Sequence, residues 1–222
     1  EANEEALLTP QMLQYPAAQR NYYAMELFAE KMWDNKWSAQ VSYTWSQSYG
    51  NYEGWVLSDN GQDDAGITQM FDSPALTHNT YGKLPNDRRH QVKAFGAYSV
   101  SPELTAGVNL LLSSGRPINQ IGTNPNDLIA SGYGASYLLV PRGSAGTTDW
   151  RFSADLAFAY RPKWAKDRLT VNLDIFNVLN AATATEVSEY KENSAGGADP
   201  TYGLPTSWQT PRYVRISVGY DY

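Results

Sequence analysis

The sequence predicts an all-β fold, specifically a segment of an antiparallel transmembrane β-barrel with about seven strands. Three observations predict it. Apolar and polar residues alternate with period 2 along several long stretches. The connections between those stretches are short and long in turn. Aromatic side chains gather at both ends of the stretches.

Each strand is read from its alternation, which sends successive side chains to opposite faces. In residues 22–32, Tyr23, Met25, Leu27 and Ala29 oppose Glu26 and Glu30. In 37–48, Trp37, Ala39, Val41, Tyr43 and Trp45 oppose a run of Ser, Gln and Thr. In 90–100, Val92, Ala94, Tyr98 and Val100 oppose Gln91, Lys93 and Ser99, with Phe95 on the polar side. Residues 103–113 place Leu104, Ala106, Val108, Leu110 and Leu112 on one face. Residues 151–161 do so with Phe152, Ala154, Leu156, Phe158 and Tyr160, and 168–176 with Leu169, Val171, Leu173 and Ile175. The last stretch, 213–222, alternates Val214, Ile216, Val218, Tyr220 and Tyr222 with Tyr213, Arg215, Ser217, Gly219 and Asp221. These lengths are near the 9–11 residues that a tilted strand needs to cross a bilayer.

Short turns fall at Asp34-Asn35-Lys36, at Ser101-Pro102-Glu103 and at 162–167. Long loops rich in Gly, Asn, Asp, Ser and Pro run over about 50–89, 118–149 and 180–211. Short turns at one end and long loops at the other are the layout of an outer-membrane barrel. A soluble sandwich also alternates, but its strands are usually shorter, about 5–6 residues. Trp33, Trp37, Tyr98, Tyr160, Trp164, Tyr220 and Tyr222 suggest one aromatic girdle. Tyr22, Tyr23, Trp45, Tyr49, Trp150 and Tyr213 suggest the other. Charged residues within the strands keep to the polar face, where a Lys or Arg avoids a lipid cost of about 2–4 kcal/mol. Lys31 is the exception, at a strand end where it can snorkel.

Composition fits this reading. The 222 residues are 42% hydrophobic with a net charge of -6, and their mean hydropathy is -0.50. No apolar run approaches the roughly 20 residues of a transmembrane helix. A barrel strand wets half of its side chains, so a low average is expected. With 16 Tyr, 7 Trp and 6 Phe the chain is too aromatic for disorder. It has no Cys, which excludes disulfides and thiolate metal sites. A pI near 4.9 without a basic cluster argues against nucleic acid as a partner. No basic segment followed by an apolar stretch opens the chain, so no signal peptide is read there.

Seven is an odd count, whereas single-chain bacterial barrels have even strand numbers. Residues 1–20 read as an extracellular loop segment, with a short helical turn expected within 4–13. Residues 21–222 then form the C-terminal part of a larger barrel, or a partner completes it.

Chemistry-bearing candidates are few. His78 and His90 are the two near-neutral bases. Without a nucleophile motif such as Gly-x-Ser-x-Gly, both read as solvated rather than catalytic. The Asp59–Asp64 stretch lacks the spacing of a calcium loop and reads as a surface turn. Glu186, Glu189, Glu192 and Asp199 read as a solvated acidic loop, and Gly132-Tyr133-Gly134 is no phosphate loop. The loop aromatics Tyr52, Trp55, Tyr81, Tyr133, Tyr137, Tyr190, Tyr202 and Trp208 are candidates for contact with an extracellular ligand. They serve equally well to pack the loops on one another.

Several motifs carry a family resemblance. They are Leu84-Pro85-Asn86-Asp87-Arg88-Arg89-His90, Ser113-Ser114-Gly115-Arg116-Pro117, Phe176-Asn177-Val178-Leu179-Asn180, and Tyr202-Gly203 followed by Pro211-Arg212. With them the chain resembles the C-terminal barrel region of TonB-dependent outer-membrane receptors. It is most similar to the Oar-like group, whose members often carry a carboxypeptidase-regulatory-like domain. The resemblance implies a barrel of about 22 strands around a plug. It implies a Gram-negative outer membrane, a periplasmic C-terminus, and TonB-driven import of a ligand that the loops capture. It also makes Val214, Ile216, Val218, Tyr220 and Tyr222 the signal read by the barrel-assembly machinery. No cofactor or enzymatic activity is implied. The alternatives are a structural or secretory envelope scaffold and an outer-membrane hydrolase.

Overall fold

The computed structural model describes residues 14–60, 70–124, 130–166 and 168–221. The helical turn expected within 4–13 and the terminal Tyr222 lie outside the described residues. In chain order the strands are β1 (Arg20–Lys31), β2 (Trp37–Gly50), β3 (Gly82–Lys83), β4 (His90–Ser101), β5 (Leu104–Ser113) and β6 (Ile121–Gly122). They continue with β7 (Tyr137–Leu138), β8 (Arg151–Tyr160), β9 (Leu169–Phe176), β10 (Ala184–Val187), β11 (Pro205–Trp208) and β12 (Tyr213–Tyr220).

All seven expected long strands form, and they lie side by side in chain order as β1-β2-β4-β5-β8-β9-β12. Every neighbouring pair is antiparallel. The short β3 adds to the loop end of β2, while β6-β7 and β10-β11 are separate two-stranded pieces within the loops.

Register turns the seven alternations into two continuous faces. One cross-strand row reads Trp37, Tyr98, Ala106, Phe158, Leu173 and Ile216. Another reads Leu27, Tyr43, Val92, Leu112 and Phe152. On the opposite face run Glu30, Gln40, Phe95, Asn109 and Asp155. A slip of one residue in any pair would break both faces at once. The apolar face is open, with Met25 at 53% and Ile216 at 70% exposure. A contiguous apolar surface of this extent requires a nonaqueous neighbour.

The inner face pairs its charges across strands. Arg215 donates from Nε (3.0 Å) and Nη2 (2.8 Å) to Asp174, its direct partner in register. Lys31 leaves the apolar face by reaching the turn. Its ammonium lies 2.6 Å from Asp34 and 4.2 Å from the centre of the Trp37 ring. Two of the expected girdle residues face inward instead. Tyr213 stacks on Phe176 at 4.4 Å, and both alternate onto the inner face with Arg215 and Asp174. Tyr22 also points inward, since its partner Ser48 belongs to the polar set.

The turns follow from their residues. Asp34 accepts from the backbone N–H of Lys36 and Trp37, both at 3.0 Å, while Asn35 takes the left-handed conformation (φ 70°) that Asn tolerates. Asp34 sits at a pKa of about 2, held down by Lys31 and by those amides. In the next turn Ser101 Oγ accepts from the N–H of Glu103 and Leu104. The motif at the end of β9 is a turn device. Asn177 (φ 49°) and Asn180 (φ 52°) are both left-handed. Asn177 Nδ2 donates to the carbonyls of Ala181 and Thr210, tying that turn to the approach of β12.

Fully buried apolar side chains lie mostly in the loops. Leu57, Met70, Ile121 and Leu138 form one cluster, with Phe71, Ala135 and Tyr190 packed against it. The sheet itself has little core, as a barrel wall has lipid on one side and a polar interior on the other.

Candidate functional site

The three long loops fold together at one end of the sheet. Backbone bonds join the second to the third: Ile121 N donates to Glu189 O (2.8 Å), and Lys191 N donates to Ile121 O (2.7 Å). The first meets the second where Lys83 N donates to Arg142 O (3.2 Å) and Arg142 N donates to Asn79 O (2.8 Å). Gly82 permits that approach, since a Cβ there would sit 2.1 Å from the Arg142 carbonyl.

At the centre is a buried charged network built from all three loops. Arg142 pairs with Asp59, and Arg116 pairs with Glu186 and Glu189. Asn119 links the two halves. Its Nδ2 donates to Asp59 (2.7 Å), its Oδ1 accepts from Gly143 N (2.6 Å), and its own N–H donates to Glu189 (2.8 Å). Burial raises the Asp59 carboxyl above its ordinary pKa against the pull of Arg142. Burial raises Glu189 likewise, against Arg116. Burial pulls Arg116 down, but Glu189 and Glu186 outweigh it and leave its pKa above the usual value. Two acidic residues are not the solvated groups that the sequence suggests. Asp59 is 4% exposed, so it is no part of a plain surface turn; residues 61–64 of that stretch lie outside the described residues. Glu189 is 2% exposed, so the acidic loop is not simply solvated. In both cases an arginine from another loop compensates the buried carboxylate.

The loop aromatics divide. Tyr190 packs on the apolar loop cluster. Tyr52 meets Phe71 edge-on at 5.9 Å, and Tyr137 stacks on His78 at 5.5 Å. Tyr202 lies under Lys191 Nζ at 4.7 Å, and Tyr133 is half-buried. Trp55 (72%), Trp208 (58%) and Tyr81 (49%) are open to solvent. Tyr190, Trp208 and Tyr81 line three different clefts. His90 accepts or donates at Nδ1 with Tyr43 Oη (2.9 Å) and stacks between Tyr43 and Trp150. It is one more ring of the aromatic girdle on that side.

Two adjoining clefts open beneath the loops. One, of about 540 Å³, is lined by Asp59, Arg88, Arg116, Glu186, Glu189 and Tyr190 among others. The second, of about 360 Å³, is polar and includes Arg88, Ser114, Asp149, Arg151, Trp208 and Gln209. Sequence reasoning placed Arg151 on the inner face and quoted Arg88 and Arg116 within motifs, but assigned no role to Arg88, Arg116, Asn119 or Arg142. No local pattern marks Arg116, Asn119 or Arg142, because their partners lie up to 83 residues away in the chain.

An apolar outer face, a polar inner face and long loops gathered at one end define part of the wall of an antiparallel transmembrane β-barrel. Solved structures agree on the fold. The ferripyoverdine receptor of the outer membrane of Pseudomonas aeruginosa superposes with a TM-score of 0.54 at 13% identity, over 92% of this chain and 20% of that one. The outer membrane transporter YddB from Escherichia coli gives 0.55 at 18% identity, over 91% and 25%. In sequence the chain is 29% identical over 249 residues to the TonB-dependent transporter Oar of Myxococcus xanthus. That match covers 94% of this chain and 23% of Oar, so the chain spans under a quarter of its relative's length. No protein-family model matches the chain. The resemblance to TonB-dependent receptors of the Oar-like group therefore holds. These relatives are named as transporters and a receptor, not as enzymes, and the two solved ones are outer-membrane proteins.

Proposed function

We propose that the chain is the C-terminal part of a TonB-dependent outer-membrane receptor that binds a ligand with its extracellular loops and imports it through a plugged barrel. The observation that carries this reading is the pair of continuous faces across seven strands. Among the described residues, β1 pairs only with β2, and β12 only with β9. An open edge in lipid leaves unsatisfied backbone groups, each costing several kcal/mol. Strands from the rest of the same protein, in a barrel of about 22, remove that cost. The relative's length is consistent with this.

In this reading the short turns and the C-terminus face the periplasm, and residues 1–20 and the three long loops lie outside the cell. The inner face holds the plug, and TonB acts on the plug. The exposed Trp55, Tyr81 and Trp208 are the foremost ligand contacts, with Tyr52, Tyr133, Tyr137, Tyr190 and Tyr202 behind them. Residues Val214, Ile216, Val218, Tyr220 and Tyr222 are read by the barrel-assembly machinery.

Two measurements on the full-length protein test the proposal. It is expected in the outer-membrane fraction, with gel migration that changes on boiling. The purified protein is also expected to bind the periplasmic domain of TonB. A water-soluble protein whose migration ignores heating defeats the barrel. A folded barrel that ignores TonB defeats import and favours an envelope scaffold.

A further inference from the structure

The half-buried Arg88 stands apart from the other arginines of the loop assembly. Arg116 and Arg142 each face a carboxylate. The Nη1 of Arg88 is buried and has no hydrogen-bond partner. Burying a charge without a partner is costly, which is why buried charges are normally paired. Arg88 also lies in a positive environment. Burial pulls its pKa down, and the charges of Arg116 and Arg151 add to that effect against the smaller opposing pull of Glu186 and Asp87. A guanidinium nonetheless stays charged.

The cleft of about 360 Å³ explains where a counter-charge would enter. Arg88 and Arg151 both line it. Arg151 pairs in register with Ser113 and precedes the outward Phe152, so it points to the inner face, away from lipid. Neither guanidinium has a salt bridge among the described residues, although Asp149 lines the same cleft. Glu186, the other carboxylate there, is committed to Arg116. Gln209 Oε1 is a second buried atom without a partner, on the same wall. Its amide nitrogen is already used, donating to Phe152 O at 2.7 Å. The cleft thus offers two guanidinium groups to an oxyanion.

We infer that Arg88 and Arg151 form a binding site for a small oxyanion, a phosphate or carboxylate, at the junction of barrel interior and loops. The inference rests on the receptor reading for the location of the site, but not on transport. Planar guanidinium forks suit such oxygens because they can donate two parallel bonds. A lipid headgroup is disfavoured as the source, because the site is on the inner face.

The test is calorimetric titration of the full-length protein, folded in detergent, with glucose 6-phosphate and with inorganic phosphate. Saturable binding is expected for at least one. Arg88→Gln or Arg151→Gln should each weaken it about tenfold or more, the size expected for one charge-assisted hydrogen bond. Lys166→Gln, in a turn at the far end of the sheet, should leave it unchanged. Heat-dependent gel migration confirms that each variant is folded. The inference fails if neither compound binds, or if the Arg variants bind as the parent does. It also fails if a protein carrying both Arg88→Gln and Arg151→Gln binds as the parent does but unfolds at a lower temperature. That last result would show the two arginines paired with a carboxylate from the rest of the protein. None of these outcomes depends on TonB, so the site and the import reading can fail separately.

Discussion

At the scale of single residues, the loop assembly depends on long-range charge pairs. Arg142→Met would leave Asp59 buried without its counter-charge. Breaking a buried pair in this way costs about 3–5 kcal/mol. Such a loss would release the 50–89 loop while the strands stay paired. Limited proteolysis of the folded full-length protein should then cut that loop faster than in the parent. Equal resistance would mean that the apolar cluster around Leu57 and Ile121 holds the loops unaided. Gly115 offers a sharper steric test. A Cβ at this position would lie 1.7 Å from the carbonyl oxygen of Thr148. Backbone must therefore move in Gly115→Ala, and the yield of heat-modifiable protein should fall. Gly115 and Asn177 show what two of the resemblance motifs do physically. One lets two loop segments touch, and the other turns the chain after β9 with a left-handed Asn.

At the scale of the strand, face and depth decide the cost of a substitution. Leu156 sits in the outward row between Val108 and Ile175. Leu156→Arg should destabilise the barrel by about 2–4 kcal/mol, read from urea unfolding in lipid vesicles. The adjacent Ala157 is on the inner face, paired with Gly107 and Asp174. Ala157→Ser should be close to neutral in the same assay. A similar cost for both would contradict the assigned faces. On β12, Val218→Asp should lower the amount of protein reaching the outer membrane, measured by surface labelling, if that strand carries the assembly signal. Normal surface levels would remove Val218 from it.

At the scale of the whole molecule, the sheet has two bare edges among the described residues. Each is a row of unpaired backbone donors and acceptors, which templates aggregation in water and is forbidden in lipid. Residues 1–222 expressed alone should therefore aggregate in detergent and show no heat-dependent migration. A monodisperse, heat-modifiable product of this length would mean that β1 and β12 can close on each other. On the proposed reading, the full-length protein should behave as a single barrel, with strands outside residues 1–222 covering both edges.

The seven strands were legible in the sequence because their signal is local. Neighbouring residues alternate between lipid and a wet interior, and nothing distant is needed to see it. The short turns were legible for the same reason, through Asp34-Asn35 and Ser101-Pro102. The girdle was less so. Tyr213 and Tyr22 belong to the inner face, and only cross-strand register shows which aromatics share the outer one. The loops were opaque. Asp59 and Glu189 look like solvated acids until Arg142 and Arg116 arrive from a different loop. Arg88 looks like an ordinary exposed cation until the clefts around it are formed. Period and turn chemistry act over a few residues, so the chain itself determined the membrane-facing wall. Burial and charge pairing act over distance in space, so only the tertiary structure decided which loop residues are structural and which guanidinium is left without a partner.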